Sequence, residues 1–413
     1  MMMSAREYAW TILQRVLLEN GYANLLLRSM PKEYSRSDRN LITEIVYGTL
    51  RNKSMLEFQR KDLVKGRLRP RTAVLLDMSV YQILYLSRIP AYVVIDEAVS
   101  LAQKKEKGFV NAVLRAIAKR GEVKPEQDGS LETLAIETSH PLFLLKLWTA
   151  HYGRETAEAI AKHNQQRPKM YGRLNTLKCR KEELDDPGIT WLGETCFACD
   201  GVLSETEWFQ EGKVLIQDRS SQMVVELLDA HAGMKVLDLC AAPGTKTQQI
   251  ACMMENRGEI TALDLYPERV GLIEQLMEKT GVSIVRCRAE DASVLSEDYA
   301  EESYDRILAD VPCSGLGDLS HKPEIRFRVS PESIDELAAL QKRILNRAAG
   351  LLKRGGILVY STCTLNRKEN EAQVLSFLKE HPDYALIREE TVFPMAYDSD
   401  GFYMAALRKN SQD

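Results

Sequence analysis

The sequence predicts a multidomain protein with an all-α N-terminal domain, a small α+β unit and a C-terminal α/β domain. Three observations support this fold class. Apolar residues recur at helical spacing through the first 120 residues, short strand-like runs begin at Met170, and strands alternate strictly with helices from residue 235. The length of 413 residues agrees with this division, because domains hold roughly 100–200 residues each.

The N-terminal helices are predicted by periodic apolar side chains. The first run on one helical face consists of Tyr8, Ile12, Leu13, Val16 and Leu17. The same period returns over 41–50, 72–86, 91–105 and 109–119. A polar stretch at 121–129 separates these runs from one or two further helices. We therefore expect a helical domain over 1–125 and a helical linker over 126–169.

Short strands predict the next two units. The runs YGRLNTLK, ITWL and KVLIQD indicate a small α+β unit over 170–225. The strict alternation that follows is typical of a parallel sheet covered by helices on both faces, here over 226–413. Its predicted strands are 235–240, 259–264, 283–288, 304–310 and 356–362. The alternating segment 402–409 predicts an antiparallel edge strand.

Charge is divided unequally along the chain. The formal net charge is −4, yet residues 1–120 hold 21 Lys and Arg against 11 Asp and Glu, a net of +10, which leaves −14 for the remainder. A basic domain beside an acidic one favours a module that binds a polyanion. A solvated basic helical surface explains the same excess, and both interpretations stay open.

Composition favours a cytoplasmic globular protein. Of all residues 45% are hydrophobic, and no run approaches the ~18 consecutive apolar residues of a membrane span. The N-terminal segment lacks a signal-peptide pattern. Eight unevenly spaced cysteines indicate free thiols rather than a disulfide scaffold. We expect no membrane association and no metal, because the isolated Cys196-x-x-Cys199 falls short of the about four ligands that zinc needs.

A turn of small residues after the strand 235–240 predicts a ligand site. It consists of Cys240, Ala241, Ala242, Pro243, Gly244, Thr245 and Lys246. Small residues let the backbone approach a ligand, and ligands bind at the carboxyl ends of parallel strands. Asp264, at the end of the next strand, is placed to bind ribose hydroxyls, and Asp291, after the third, to reach an adenine amino group. Together they predict a site for an adenosine-containing cofactor.

The same turn discriminates between adenosine cofactors. A phosphate-binding loop requires Gly-Lys-Ser/Thr, whereas Thr245 separates Gly244 from Lys246 here. A dinucleotide site requires G-x-G-x-x-G, and this turn has one glycine. S-adenosylmethionine, which carries adenosine without phosphate, is the alternative that these residues favour.

Two cysteine motifs follow neighbouring predicted strands. They read Asp310-Val-Pro-Cys313-Ser-Gly and Ser361-Thr-Cys363-Thr. A single cysteine is usually a small buried hydrophobe. Two at the ligand-binding ends of strands, one of them three residues after an aspartate, favour a chemical role instead.

CAAPGTK, the DVPCSG run and the STCT run together resemble the NOL1/NOP2/Sun family of RNA cytosine-5 methyltransferases. The N-terminal helices resemble the NusB fold, most closely in DRNLITEIVYGTLRN and GFVNAVLRAIAKR. The resemblance implies a NusB-like RNA-binding domain, a small RNA-recognition-like unit and a Rossmann-like class I methyltransferase domain. Thr245 and Thr364 replace residues usual in the family, but both stay small and polar, so we expect retained function.

The resemblance also implies a reaction: methylation of C5 of a cytidine in 16S ribosomal RNA, with S-adenosylmethionine as methyl donor and no obligate protein partner. Cys363 is then the nucleophile that adds to C6, Asp310 binds the N3 edge of the base, and Cys313 assists product release. The implied cofactor residues are Cys240–Lys246, Asp264, Asp291 and Asp310. Arg269 is either a further support of this pocket or an exposed helix charge.

Three further segments match the family. Arg173–Lys178 resembles the strand that opens the RNA-recognition-like unit, and Gln217-Asp218 resembles its connection to the catalytic domain. Gly401-Phe402-Tyr403 resembles the closing strand near the active site. Its two aromatic rings either stack on RNA or pack in the core.

Two other functions fit part of the sequence. A binding protein with a decayed catalytic domain fits the basic N-terminus, but it should have lost one of Asp310, Cys313 and Cys363, which are all present. The same chemistry on transfer RNA or large-subunit RNA fits the catalytic motifs. Only the NusB-like resemblance speaks against that substrate.

Overall fold

A computed structural model of the protein describes residues 2–295 and 299–411. Its contacts define two compact units. The first holds the described residues up to Arg167 together with Leu319–Arg328, and the second holds Pro168–Asp318 and the described residues from Val329 onward. Within these residues, no helix has the length and apolar character that crossing a membrane requires.

The first unit is helical. Its α-helices are α1 (Ala5–Leu18), α2 (Ala23–Arg28), α3 (Arg36–Arg51), α4 (Lys53–Arg60), α5 (Pro70–Tyr85), α6 (Ala91–Leu101), α7 (Lys107–Arg120), α8 (Leu131–Glu137), α9 (Leu142–Tyr152) and α10 (Arg154–His163). The periodic side chains of α1 that predicted it, such as Ile12 and Leu13, are buried in the core. The segment 126–169, predicted as a helical linker, contributes α8–α10 to this same unit.

The second unit opens with a small antiparallel sheet. Its strands are β1 (Met170–Leu174), β2 (Ile189–Trp191), β3 (Cys196–Cys199) and β4 (Val214–Ile216), in the order β2-β3-β1-β4. The short helix α11 (Glu207–Gln210) precedes β4. Leu174, Phe197 and Val214 form its buried core. This arrangement agrees with the predicted α+β unit.

A seven-stranded sheet forms the rest of the second unit. Its strands are β5 (Lys235–Asp238), β6 (Glu259–Asp264), β7 (Val285–Ala289), β8 (Tyr304–Asp310), β9 (Leu352–Thr362), β10 (Tyr384–Val392) and β11 (Phe402–Lys409). The helices are α12 (Arg219–Leu228), α13 (Thr245–Met253), α14 (Pro267–Thr280), α15 (Pro331–Leu351), α16 (Glu371–Glu380) and α17 (Pro394–Tyr397). The strand order is β10-β11-β9-β8-β5-β6-β7, and the five strands β5–β9 are parallel. The predicted parallel α/β fold is confirmed.

The predicted edge position of the last strand is wrong. β11 is antiparallel as expected, but it pairs with β9 on one side and with β10 on the other. Its side chains are almost all buried, as suits an internal strand. β10 takes the edge, and its sequence YALIREETV gave no strand signal because most of its side chains face solvent and many are charged.

Candidate active site

A cleft opens beside the carboxyl end of β5. Its walls are Asp238, Cys240, Ala241, Ala242, Pro243, Thr245, Lys246 and Asp310. Gly244 turns the chain into α13 with a φ of +104°, a conformation that L side chains rarely adopt. The predicted small-residue turn therefore lines a cleft, and its glycine is needed for the turn itself.

Asp238 is a cleft residue that the sequence analysis missed. Its Oδ2 accepts a hydrogen bond of 2.7 Å from Thr247 Oγ1, whereas Oδ1 has no hydrogen-bond partner among the described residues. Burial raises the pKa of Asp238 to about 7; the Thr247 hydrogen bond opposes this shift and the charge of Asp310 adds to it. In the sequence, the aspartate stood inside the apolar run KVLDLC and indicated only a buried strand. An unpartnered oxygen at the cleft wall suits a donor group on a ligand.

Asp264 is the last residue of β6 and Asp291 follows β7, and neither is among the residues that line the cleft. Asp264 is buried; its carboxylate accepts from Ala242 N (3.3 Å) and pairs with Arg269 at 3.3 Å. Arg269 also donates to the carbonyl oxygen of Ala242 at 3.1 Å. Asp291 Oδ1 accepts from the backbone N–H and hydroxyl of Ser293 at 2.8 and 2.7 Å. The Arg269 side chain is about half exposed, and it also supports the turn through its hydrogen bond to Ala242.

Lys246 and Asp310 form an ion pair at the cleft. Lys246 Nζ lies 2.6 Å from Asp310 Oδ2, and the side chains are only 14% and 22% exposed. Ser361 Oγ donates to the other oxygen of Asp310 at 2.8 Å. Burial acts to lower the pKa of Lys246, but the charge and hydrogen bond of Asp310 outweigh it and raise that pKa. Lys246 therefore remains a cation directed at Asp310.

The two motif cysteines meet. Cys313 Sγ lies 3.4 Å from Cys363 Sγ, and both residues are half-buried. The hydrogen bond to Cys363 and then burial raise the pKa of Cys313 well above its ordinary value; the charges of Cys363 and Glu369 act in the same direction. Cys313 is consequently a protonated thiol at neutral pH, in reach of the second sulfur.

Two loops, which follow β8 and β9, carry Cys313 and Cys363, and we call them the cysteine loops. Glu369 and Asn370 hold these loops in place, and the sequence analysis missed both residues. Glu369 Oε1 accepts from Ser314 N at 2.8 Å, and Asn370 Nδ2 donates to the carbonyl oxygen of Thr364 at 2.8 Å. Both residues are buried. They stand in the polar run KENEA at the start of α16, which by itself indicates only an exposed helix end.

The small sheet is tied to α13 through Arg173, which is buried. Its Nε donates to Gln217 Oε1 at 2.7 Å, and Nη2 donates to the carbonyl oxygen of Thr245 at 3.3 Å. Asp218 begins α12, with its Oδ1 accepting from Ser220 N at 2.9 Å. These residues connect the small sheet to the cleft turn, as the resemblance implied for Gln217-Asp218.

The Gly401-Phe402-Tyr403 run lies beside the cysteine loops. Gly401 N donates to the carbonyl oxygen of Gly317 at 2.9 Å, and a Cβ on Gly317 would come within 1.8 Å of the Gly401 oxygen. Phe402 and Tyr403 are buried, and Lys246 Nζ lies 5.2 Å from the centre of the Phe402 ring. Of the two alternatives for these rings, the structure supports core packing rather than stacking on RNA.

Two neighbouring loops of the helical unit carry much of the basic excess. We define the cationic loops as residues 65–71, which end in the first turn of α5, and 103–107, which end at the first residue of α7. Arg69 joins them, because it donates to Gln103 Oε1 at 2.7 Å and lies 3.7 Å from a carboxylate oxygen of Glu106. The lysines and arginines of both loops are exposed. Such a surface suits a phosphate backbone.

Comparison with known proteins finds similar families for the N-terminal, middle and C-terminal parts of the chain. Family models match it at residues 225–408 (16S rRNA methyltransferase RsmB/F), 3–119 (NusB family) and 140–186 (RsmF/B-like ferredoxin-like domain). The chain is 38% identical to the probable ribosomal RNA small subunit methyltransferase B of Bacillus subtilis (strain 168), over 98% of this chain and 99% of that protein. It is 31% identical to a protein of the same name from Synechocystis sp., over 99% and 100%. The crystal structure of PH0851 superposes with a TM-score of 0.82 and 25% identity, over 99% of this chain and 100% of that one.

Proposed function

The chain belongs to the ribosomal RNA small subunit methyltransferase B family, and we propose that it methylates C5 of a cytidine in 16S rRNA through a covalent adduct of Cys363 with C6. The family membership supports methylation of small-subunit rRNA with S-adenosylmethionine as donor. The observation that carries the finer proposal is the pair of thiols 3.4 Å apart, beside the Lys246–Asp310 ion pair at the cleft.

The cleft residues fit S-adenosylmethionine. The turn Cys240–Lys246 lets a ligand approach the backbone, and Asp264, Asp291 and Asp310 are its proposed polar partners. Asp238 joins this set, because its unpartnered Oδ1 is a suitable acceptor for the ammonium group of the methionine part. S-adenosylmethionine supplies an electrophilic methyl group when it is bound.

Cys363, Cys313 and Asp310 each have a separate role in the proposed reaction. C5 of cytosine becomes nucleophilic when the Cys363 thiolate forms a bond to C6, which splits one hard step into two easier ones. Asp310 binds the N3 edge of the base by accepting from its N4 amino group, and the Lys246 ammonium paired with Asp310 offsets the negative charge that develops on the ring. After C5 is methylated, water takes its proton, the electron pair of that C–H bond re-forms the C5–C6 double bond, and the S–C6 bond breaks to release the Cys363 sulfur. Cys313, held as a thiol, protonates the departing sulfur 3.4 Å away and recovers its own proton from water.

The RNA must present its target base outside a duplex, because C6 is out of reach within stacked pairs. The cationic loops of the helical unit provide the contact to the phosphate backbone. A cytoplasmic location belongs to this proposal, since the substrate is ribosomal RNA.

The test is transfer of labelled methyl from S-adenosylmethionine to purified, unmodified small-subunit rRNA, followed by bisulfite mapping. We expect one protected cytosine, its loss in Cys363→Ala, and wild-type transfer in the control Cys287→Ala, whose thiol lies on β7 away from the pair. Cys363→Ala should keep its affinity for S-adenosylmethionine. Transfer to transfer RNA alone would overturn the substrate, and cofactor binding without transfer to any RNA would favour a binding protein.

A further inference from the structure

Glu369 is a buried carboxylate with neutral hydrogen-bond donors on both oxygens. It lies between β9 and α16 and is fully buried. Oε1 accepts from Ser314 N at 2.8 Å and from Gln341 Nε2 at 3.1 Å. Oε2 accepts from Ser314 Oγ at 2.5 Å and from Asn366 Nδ2 at 2.9 Å. Because a buried charge is costly without partners, these four donors are what stabilises it in place.

The same carboxylate joins the two cysteine loops. Ser314, which it binds twice, directly follows Cys313 in the chain. Ser314 Oγ lies 2.7 Å from Thr364 Oγ1, and Thr364 directly follows Cys363. A chain of two hydrogen bonds therefore runs from Glu369 through one cysteine loop into the other.

Further hydrogen bonds, each with a backbone group on at least one side, connect the segments that carry the two sulfurs. Gly317 N donates to the carbonyl oxygen of Cys363 at 3.0 Å, and Leu316 N donates to Thr364 Oγ1 at 3.3 Å. Gln341 Nε2, besides binding Glu369, donates to the carbonyl oxygen of Pro312 at 2.9 Å. These bonds hold the two loops to each other, and Gln341 connects the Cys313 loop to Glu369 a second time.

A carboxylate matches these four donors, because both of its oxygens accept. A glutamine has one acceptor oxygen and a donor NH₂ group, so it would set a donor against one pair of donors. We propose that Glu369 is a positioning residue for the proposed reaction: it holds the Cys313 loop against the Cys363 loop and thereby fixes the separation of the two sulfurs. This proposal rests on the function proposed above, in which one sulfur adds to the base and the other assists its release.

The consequence concerns the chemical steps rather than binding. A displacement of about 1 Å at a reacting group can cost ~100-fold in rate. Glu369→Gln should therefore lower kcat by about tenfold or more and leave the KM values for RNA and S-adenosylmethionine near those of the wild type. It should also increase the fraction of enzyme trapped as a covalent RNA adduct, because release depends on Cys313 reaching the departing sulfur.

The sulfur separation is measured directly by cross-linking without RNA. Diamide takes two electrons and two protons from the thiols, so that one S–S bond forms and the diazene is reduced to a hydrazine. After trypsin, the cross-linked pair contains no cysteine other than Cys313 and Cys363, and mass spectrometry follows its appearance. We expect Glu369→Gln to form this disulfide about tenfold more slowly than the wild type. The control is Glu380→Gln, at the exposed end of α16, which should match the wild type.

A wild-type rate of disulfide formation in a folded Glu369→Gln protein overturns the proposal, whatever its methylation activity. If that variant does not fold, Thr364→Val removes the link between the loops without changing a charge, and unchanged cross-linking there overturns the proposal equally. Slower cross-linking in either variant supports it. Failure of the proposed function is seen separately, as absence of methyl transfer by the wild-type enzyme, which the cross-linking rate does not depend on.

Discussion

Lys246 Nζ lies 2.6 Å from Asp310 Oδ2, and this contact joins the turn after β5 to the carboxyl end of β8. Both side chains are largely buried, so removing one partner leaves an uncompensated charge. The pair therefore contributes to the stability of the cleft, and it includes Asp310, which has a role in the proposed reaction.

Lys246→Met should lower the free energy of unfolding by about 3 kcal/mol, because Asp310 loses its cation in a poorly hydrated place. The double variant with Asp310→Asn should recover part of this loss, since it leaves no unpaired charge. Urea denaturation measures both. Lys353→Met is the matched control: Lys353 lies 2.7 Å from Asp305 but is 43% exposed, and exposed pairs contribute less than about 1 kcal/mol. Equal losses of unfolding free energy in Lys246→Met and Lys353→Met would contradict the argument that burial strengthens the Lys246–Asp310 pair.

Cys313→Ala should trap the protein on RNA. In the proposed reaction, this change removes the thiol that protonates the departing sulfur, while Cys363 can still add to C6. Incubation with rRNA and S-adenosylmethionine should then give a denaturant-resistant band on a gel, and Cys287→Ala should give none beyond the wild-type level. If no band forms with Cys313→Ala although methyl transfer continues at the wild-type rate, release depends on another group.

The sequence was sufficient for the parts of the site that lie at strand ends. Apolar runs such as KVLDLC and YDRILAD defined the parallel strands, and carboxyl ends of parallel strands meet at one edge of the sheet. Cys313 and Cys363 could therefore be expected to approach each other, although 50 positions separate them.

The parts that escaped prediction depend on burial of polar groups. Asp238 and Glu369 look unremarkable in sequence, because only tertiary packing makes one an unpartnered acceptor and the other a shared one. The segment Leu319–Arg328 is a further case, since it packs in the helical unit. There Arg326, fully buried, donates to the carbonyl oxygens of Thr138 and Ser139 at 3.1 and 3.3 Å. No local pattern marks an arginine for such a place.

Asp238 should make both stability and cofactor affinity depend on pH. Burial raises its pKa from 3.8 to about 7, so the folded protein binds a proton that the unfolded chain has lost. The protonated form stabilises the fold: this contribution is fully present below about pH 4 and is lost progressively as the pH rises from there through about 7. Asp238→Asn should therefore unfold at a higher temperature than the wild type near pH 8, by a smaller margin near pH 5, and at a similar temperature near pH 4.

The affinity for S-adenosylmethionine should change in the opposite sense. The wild-type carboxylate binds an ammonium group better once it is ionised, so affinity should rise between about pH 6 and pH 8. Asp238→Asn should bind more weakly and with little dependence on pH. Calorimetric titration across this range measures both. An affinity in the wild type that does not change with pH would exclude Asp238 as the partner of the ammonium group.

The cationic loops should determine how strongly rRNA binding depends on salt. Arg67 and Lys104 are exposed, one on each loop, and each phosphate contact steepens the dependence of log affinity on log salt by about 0.7–0.9. Reversing both, as Arg67→Glu with Lys104→Glu, should weaken rRNA binding, reduce that slope by about one to two, and leave kcat at saturating RNA near the wild-type value. Filter binding over a salt series measures the slope, with Lys32→Glu, an exposed reversal elsewhere in the helical unit, as control. An unchanged slope in the double variant, or an equal change in the control, would mean that the basic excess is a solvated helical surface and that the RNA binds elsewhere.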